Sequence, residues 1–212
     1  GDPDAWRFTI DGEVEQALDL TLAELKSRFP VKTYRMVLEC GGNGRSFLEP
    51  TADGNPWTNG GAGCAEWTGV SLRDVLQAAG LKRTALFTGH FGADPDKNGS
   101  FEKQAMSRGV PIAKALEEHT MLVWAMNGVP LPFIHGGPLR LIVPGWPGSL
   151  SQKWLKRIWI RDREHDGPGM TGLSYRVPVH PIAPGADVSN VELRVLESMP
   201  VRSIITAPAH EA

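Results

Sequence analysis

The stretch Leu38-Glu39-Cys40-Gly41-Gly42-Asn43-Gly44-Arg45 is the most informative part of this chain of 212 residues. The apolar, β-prone run from Tyr34 to Leu38 predicts a strand that ends near a cysteine, and a glycine-rich turn follows at once. Thiolate is the form of cysteine that acts as a nucleophile or metal ligand, and turn N–H groups and a nearby cation favour it. The pattern therefore indicates a reactive or metal-binding Cys40. The alternative is a structural cysteine buried at a strand end.

Length and composition limit the kinds of protein that this chain can be. A chain of 212 residues can bury one sizeable core and is expected to form one domain. The formal net charge is −2, so neither a basic nucleic-acid surface nor a polybasic membrane patch is expected. No apolar run approaches the ~18 residues that a transmembrane helix needs. Two cysteines are too few for a disulfide framework.

Strand and helix signals are mixed along the chain without regular βαβ alternation, which predicts an α+β fold with mixed β-sheets, short helices and long loops. The capping-box pattern Thr21-Leu-Ala-Glu24 predicts the start of the first helix. Asn127-Gly128 predicts a tight turn after a strand. Strands are expected at 6–10, 32–39, 86–91, 121–126, 139–143 and 157–160, helices at 21–29, 71–80 and 111–118, and loops at 41–66 and 92–107, with an extended tail from 162.

Four segments in this order resemble the molybdenum domain of the sulfite oxidase family of molybdopterin enzymes. They are Cys40-Gly-Gly-Asn-Gly-Arg45, the segment 63–76, His135-Gly-Gly-Pro-Leu-Arg140 with the residues to Gly145, and Lys153-Trp154-Leu155. The resemblance runs along almost the whole chain and is closest to the bacterial, haem-free sulfite dehydrogenases. The eukaryotic enzymes usually carry two arginines in the turn, whereas this chain has Gly44 and then Arg45.

The resemblance implies a sulfite oxidase-type molybdopterin-binding fold and a molybdenum ion held by the two pterin sulfurs and by Cys40. A soft thiolate suits such a sulfur-rich centre. Arg45 has forked donors that match a sulfur oxyanion. Trp57 resembles a tryptophan that lines the substrate pocket. Tyr175 falls where the family has its active-site tyrosine, whose phenol can donate a hydrogen bond and help to move protons.

The resemblance also implies which residues hold the pterin and its terminal phosphate. Imidazole, guanidinium, hydroxyl, amide and ammonium groups in Gly/Pro-rich loops suit a phosphate-bearing cofactor. The candidates are Asp94, His135, Arg140, Ser151, Gln152 and Lys153. Cys64 and Trp67 are interpreted as packing residues, and the other histidines have no ligand-like spacing.

The function implied is oxidation of sulfite to sulfate. No haem-attachment motif occurs, so electrons are expected to pass to an external acceptor such as a c-type cytochrome, and the resemblance places the protein in the periplasm. The alternatives are a sulfane dehydrogenase, another molybdopterin oxidoreductase of this fold such as a sulfoxide or nitrate reductase, and a non-catalytic cofactor-binding subunit.

The resemblance further predicts the domain organisation. Residues 1–198 are expected to form the catalytic domain, and residues 199–212 a linker, with a strand at 201–206, towards a C-terminal dimerisation domain that is missing from this sequence. Similar proteins also begin earlier, with a segment that touches the cofactor and the substrate. The full-length protein is then expected to be a homodimer.

Overall fold

The computed structural model describes residues 2–96, 98–102, 105–183, 185–201 and 203. Its strands and short helices form an α+β fold, as the sequence predicts. The strands are β1 (Arg7–Gly12), β2 (Leu18–Thr21), β3 (Val31–Glu39), β4 (Ala62–Ser71), β5 (Phe87–Gly92), β6 (Met121–Met126), β7 (Val129–Pro130), β8 (Arg140–Ile142), β9 (Leu155–Arg161), β10 (Arg176–Pro178) and β11 (Leu193–Val195). The α-helices are α1 (Leu22–Arg28), α2 (Leu72–Ala79) and α3 (Ile112–Ala115).

The first sheet has the strand order β2-β1-β9-β5 and is mixed. β1 pairs antiparallel with β2 and parallel with β9, and β5 pairs antiparallel with β9. The parallel pair joins two strands that are far apart in the sequence, with Ile10 opposite Ile158. Both of these isoleucines are fully buried, so this pairing lies in the main core.

The second sheet has the order β3-β4-β6-β7, with β8 also paired to β6, and all its pairs are antiparallel. β3 and β4 pair along their length, from Val31 opposite Val70 to Glu39 opposite Ala62. This long pairing places Cys40 directly beyond the end of β3, at the mouth of the loop that leads to β4. The candidate site therefore lies at one end of this sheet.

The prediction of a loop over 41–66 was wrong in its second part, because β4 begins at Ala62. The segment Ala62-Gly-Cys-Ala has weak strand propensity, but pairing with β3 decides its conformation. Cys64 lies on an exposed part of this strand, so its interpretation as a buried packing residue was also wrong. Trp67, three residues on, is only 3% exposed and packs in the second core cluster, as expected.

Local signals predicted the ends of several elements. Thr21 and Glu24 exchange both capping-box hydrogen bonds at the start of α1. Asn127 and Gly128 have φ values of 52° and 78° in the turn between β6 and β7, which is the left-handed backbone that this dipeptide accepts readily. The expected helix at 111–118 is shorter, at Ile112–Ala115.

The C-terminal part contains strands that the sequence analysis did not predict within the extended tail. β10 and β11 pair antiparallel as a separate two-stranded sheet. At the predicted linker, Met199 N donates to Gly145 O (2.8 Å). Most of the predicted strand at 201–206 lies outside the described residues. None of the described helices is long and apolar enough to cross a membrane.

Candidate active site

Cys40 is half-buried, and its backbone is held by the loop that follows it. Cys40 N donates to Gly61 O (2.8 Å), and Asn43 N donates to Cys40 O (2.9 Å). Gly42 N donates to the sulfur over 3.4 Å. Among the described residues this weak N–H is the one hydrogen-bond donor to the sulfur, which leaves the sulfur able to coordinate further. The backbone hydrogen bonds hold Cys40 in one place.

The loop between β3 and β4 folds back on itself in a short ladder. Gly44 N donates to Thr58 O (2.6 Å), and Ser46 N donates to Trp57 O (3.1 Å). Trp57 is thereby placed across from Arg45 and its neighbour, and the indole is 39% exposed. The structure thus places Trp57 on the segment of this loop that pairs with the residue after Arg45.

The Arg45 side chain curls over the glycine-rich turn. Its Nη1 donates to Asn55 O (2.9 Å). A Cβ on Gly42 would overlap the guanidinium, and one on Gly54 would lie 2.5 Å from Nη1. The two glycines therefore make room for the cation beside Cys40. The guanidinium has no acidic side chain paired to it among the described residues.

Tyr175 lies close to the same turn. A Cβ built on Gly41 would lie 3.9 Å from its Cδ1, so the ring packs beside the residue that follows Cys40. Tyr175 has a φ of 54°, a conformation that side-chain-bearing residues seldom adopt. Its carbonyl oxygen accepts from Leu196 N (2.8 Å). β11 and the residue after it therefore help to hold Tyr175 in place.

The structure adds Arg108 to these residues, which the sequence analysis did not single out. Its Cζ lies 4.3 Å from the centroid of the Tyr175 ring, and its Nη1 donates to Ser149 Oγ (2.8 Å). Burial lowers its pKa to about 10. It follows a polar loop that has no periodicity, so no sequence signal linked it to Tyr175, which lies far along the chain.

The predicted cofactor-binding residues form a second group. Gln152 Nε2 lies 3.4 Å from Asp94 Oδ1, and Lys153 Nζ donates to Ile134 O (2.7 Å). A Cβ on Gly136 would lie 2.8 Å from the Lys153 side chain. Burial raises the pKa of Asp94 and lowers that of Lys153. The structure thus brings an amide, a carboxyl group and an ammonium group together.

Arg140 joins this group from β8. Its Nη1 donates to His135 O (2.8 Å), and its Cζ lies 5.6 Å from the Trp67 ring. Burial lowers its pKa to about 10, and its Nε is buried with no hydrogen-bond partner among the described residues. The positive charge of Arg140 is a secondary cause of the lowered pKa of Lys153. Arg140 and Lys153 thus lie near each other, and the charge of Asp94 only partly opposes the lowering of the Lys153 pKa. Neither cation forms a salt bridge among the described residues.

Ser151 is buried, and its Oγ accepts from Val143 N (3.0 Å), so part of its hydrogen-bonding capacity serves the fold. It belongs to a segment that connects the two groups. At one end, a Cβ on Gly148 would lie 3.0 Å from Glu39 O, next to Cys40. At the other end are Gln152 and Lys153. The cysteine site and the cation group are therefore joined by six consecutive residues, 148–153.

Comparison with known proteins identifies the family to which this chain belongs. The profile of the oxidoreductase molybdopterin-binding domain matches residues 1–169. The chain belongs to this family. Chicken (Gallus gallus) sulfite oxidase is 33% identical over 215 residues, which are 98% of this chain and 45% of that protein. Human (Homo sapiens) mitochondrial sulfite oxidase is 33% identical over 217 residues, covering 98% and 38%.

Some proteins similar to this molybdopterin-binding domain are not sulfite oxidases. Inducible nitrate reductase [NADH] 1 of Glycine max is 29% identical over 98% of this chain and 24% of its own length. The crystal structure of the sulfane dehydrogenase SoxCD from Paracoccus pantotrophus superposes with a TM-score of 0.78 at 29% identity, covering 99% of this chain and 49% of that one. The domain spans less than half the length of each of these relatives.

The cofactor of this molybdopterin-binding domain is molybdenum with molybdopterin, and the residues present fit it. The buried Nε of Arg140 lacks a partner, and burial disfavours the charges of Arg140 and Lys153. A phosphate would supply both the acceptor and the counter-charge. Among the described residues, no three His, Cys, Asp or Glu side chains converge on a possible metal site. If Cys40 ligates the metal, as the sequence predicts, the remaining ligands would have to come from the pterin and not from a cluster of described side chains.

Proposed function

We propose that this chain oxidises sulfite to sulfate and passes the electrons to an external acceptor such as a c-type cytochrome, in the periplasm. The observation that carries the proposal is the placement of Cys40, Arg45 and Tyr175 around one glycine-rich turn. It puts a thiol able to ligate the metal beside a cation and a phenol that suit an oxyanion. The 33% identity to sulfite oxidases along 98% of the chain supports the choice of sulfite.

The bound cofactor supplies the redox chemistry at the metal. Cys40 ligates the metal through its thiolate. Arg45 exchanges its bond to Asn55 O for bonds to the oxygens of the anion, and its charge favours the doubly negative product. The Tyr175 hydroxyl donates a hydrogen bond to an anion oxygen, and by giving up and then regaining its own proton it helps to move protons. Trp57 covers the outer side of the pocket and limits water.

The second group of residues orients the cofactor. Arg140 and Lys153 bind the terminal phosphate, and Asp94 and Gln152 contact the pterin. His135 and Ser151 line the same loops. The segment 148–153 joins this group to the Cys40 turn, so residues that would hold the phosphate are connected along the chain to the residue that would hold the metal.

A second candidate is a sulfane dehydrogenase, because SoxCD superposes on 99% of the chain with a TM-score of 0.78. A sulfane sulfur is not itself an oxyanion, so Arg45 would then have no dianion to bind. A third candidate, nitrate reduction, rests on 29% identity to a plant nitrate reductase. Nitrate carries a single negative charge.

The experiment is a comparison of substrates with cofactor-loaded protein whose molybdenum and pterin contents are measured first. Sulfite-dependent reduction of ferricyanide and of cytochrome c is assayed beside thiosulfate, a sulfane-sulfur carrier, and nitrate with a reduced dye. We expect turnover with sulfite alone. Turnover with nitrate or the carrier but not with sulfite would overturn the proposal. A folded protein that takes up no molybdenum would instead favour a non-catalytic subunit.

The domain boundary and the dimer stay proposals. We propose that residues 1–198 form the catalytic unit and that residues 199–212 lead towards a dimerisation domain in a longer protein. Gel filtration with light scattering of a longer protein and of this chain tests the idea. A dimer of the longer protein and a monomer of this chain are expected. A dimer of this chain alone would contradict it.

A further inference from the structure

Arg108 is the largest fully buried side chain among the described residues, with 1% of its surface exposed. Burying an unpaired charge is unfavourable, so buried arginines are normally paired with carboxylates. None of the ion pairs found in the described part of the chain includes Arg108. The pKa of its guanidinium is lowered only to about 10, so the charge persists at neutral pH.

The neighbours of Arg108 satisfy only part of its hydrogen-bonding capacity. Nη1 donates to Ser149 Oγ, and the face of the guanidinium lies on the Tyr175 ring. Nε and Nη2 are buried, and neither has a hydrogen-bond partner among the described residues. Backbone contacts hold the residue in place, since His90 N donates to Arg108 O (2.7 Å). The guanidinium of Arg108 therefore has two N–H donors for which the described residues supply no acceptor.

Both neighbours of Arg108 border the cysteine. Tyr175 packs beside Gly41, and Ser149 belongs to the short 3₁₀ turn 148–150, whose first residue lies against Glu39 O. Arg108 thus contacts two residues, Tyr175 and Ser149, that belong to segments adjoining the Cys40 turn. The buried guanidinium of Arg108 and the guanidinium of Arg45 are both connected to this turn.

We propose that Arg108 is a second anion-binding residue of this site, and that its Nε–H and Nη2–H donate to oxygens of the sulfur oxyanion at Cys40. This proposal rests on the proposed function and names the residue that completes its substrate site. The anion supplies the acceptors and the negative charge that the buried guanidinium lacks. Arg45 binds the anion from the solvent side and Arg108 binds it from the protein interior.

The test measures binding of inorganic sulfate to the cofactor-loaded chain by calorimetry, at constant ionic strength set with chloride. The variants are Arg108→Met, Arg108→Lys and, as the matched control, Arg163→Met, whose arginine side chain is 68% exposed. We expect the Kd for sulfate to rise about 10-fold or more in Arg108→Met and less in Arg108→Lys. It should be unchanged in Arg163→Met.

Three outcomes would overturn the proposal. The first is an unchanged sulfate Kd in a folded Arg108→Met protein. The second is a loss of pterin content with an unchanged Kd per loaded site, which would assign Arg108 to the cofactor. The third is a lack of sulfate binding to the wild type. If Arg108→Met does not fold, a crystal of the wild type soaked in sulfate decides: a bound sulfate should have an oxygen within hydrogen-bond distance of Arg108 Nε or Nη2, and a sulfate elsewhere refutes the idea.

This test separates the two proposals because sulfate binding needs no turnover. Arg108-dependent sulfate binding in a protein that does not oxidise sulfite would leave the anion site standing and overturn the proposed activity. Sulfite oxidation with a sulfate Kd that does not depend on Arg108 would do the reverse. The steady-state KM for sulfite should also rise more than kcat falls in Arg108→Lys, a split that a purely structural role would not produce.

Discussion

The backbone N–H of Cys40 donates to the carbonyl oxygen of Gly61 across 2.8 Å, which closes the loop between β3 and β4 at its base. Asn43 reinforces the closure, because its Nδ2 donates to Glu39 Oε1 (3.0 Å) and its Oδ1 accepts from Gly61 N (2.9 Å). The position of the sulfur thus depends on one amide side chain that links the two strand ends.

Asn43→Ala should loosen this loop. The variant removes two side-chain hydrogen bonds, each of which contributes about 1 kcal/mol, so the free energy of unfolding should fall by roughly 1–2 kcal/mol. Urea unfolding and molybdenum content are the measurements, and Asn190→Ala, at an exposed position, is the control. Wild-type stability and metal content in Asn43→Ala would show that the amide does not fix the loop.

Arg45→Gln and Tyr175→Phe should distinguish the charge-based binding of the anion by Arg45 from the hydrogen-bonding and proton-transfer role of Tyr175. Losing a charge-assisted contact to the anion costs about 1.5–3 kcal/mol, so the KM for sulfite should rise roughly 10- to 150-fold in Arg45→Gln. Tyr175→Phe keeps the ring over Arg108 and loses only the hydroxyl, so its smaller effect should be shared between kcat and KM. Steady-state kinetics are the measurement. An unchanged KM in both variants would remove the two residues from the substrate pocket.

Lys153→Gln should weaken cofactor binding. Burial already lowers the pKa of this ammonium group, and a phosphate partner would offset that cost. We expect the pterin to be lost on dialysis about 10-fold or more faster than from the wild type, with the fold intact by circular dichroism. Lys82→Gln, at an exposed lysine, is the control. Equal pterin retention in both variants would place the phosphate elsewhere.

The sequence predicted the elements whose signals are local. The capping box at Thr21 and the Asn127-Gly128 turn are confirmed, because neighbouring residues alone determine them. The first part of β4 was missed because Gly63 and Cys64 have weak strand propensity, and pairing with β3 decides their conformation.

In the candidate site, too, the sequence predicts the proximity of residues that are close along the chain but not of residues that are far apart. Cys40 and Arg45 lie within one motif, so their proximity could be predicted, although their roles stay predictions. Arg108 and Tyr175 come together only through tertiary packing of a polar loop against the C-terminal part of the chain. No periodicity or spacing marks such a contact in the sequence, so Arg108 could be found only in the structure.

Stability should fall as the pH drops below about 6.5, because two buried histidines resist protonation. Burial lowers the pKa of His90 to about 3 and that of His165 to about 4. His90 Nε2 lies 2.8 Å from Thr88 Oγ1, and His165 Nε2 lies 2.8 Å from Ser107 Oγ. The unfolded chain takes up these protons near pH 6.5 and the folded chain does not. The stabilisation is therefore complete above pH 6.5 and is lost progressively as the pH falls to about 4 for His165 and to about 3 for His90.

Each histidine contributes a slope of up to about 1.4 kcal/mol per pH unit. Urea unfolding between pH 5 and pH 7 should therefore show a steep decline towards acid, which His165→Gln reduces by about half. This interval lies above the range in which ordinary carboxylates titrate. The control His180→Gln, at an exposed histidine, should keep the full slope. A slope that is unchanged in His165→Gln would mean that this histidine is already protonated in the folded protein.

Ligation of the metal by Cys40 is tested most directly by X-ray absorption at the molybdenum edge, measured on the wild type and on Cys40→Ser. Cys64→Ser, at the exposed second cysteine, is the matched control. Cys40→Ser should keep its fold and pterin, because the phosphate contacts lie elsewhere, and should lose sulfite turnover because a hydroxyl is a harder ligand. We expect one sulfur fewer around molybdenum in Cys40→Ser and no change in Cys64→Ser. An equal sulfur count in wild type and Cys40→Ser would contradict it.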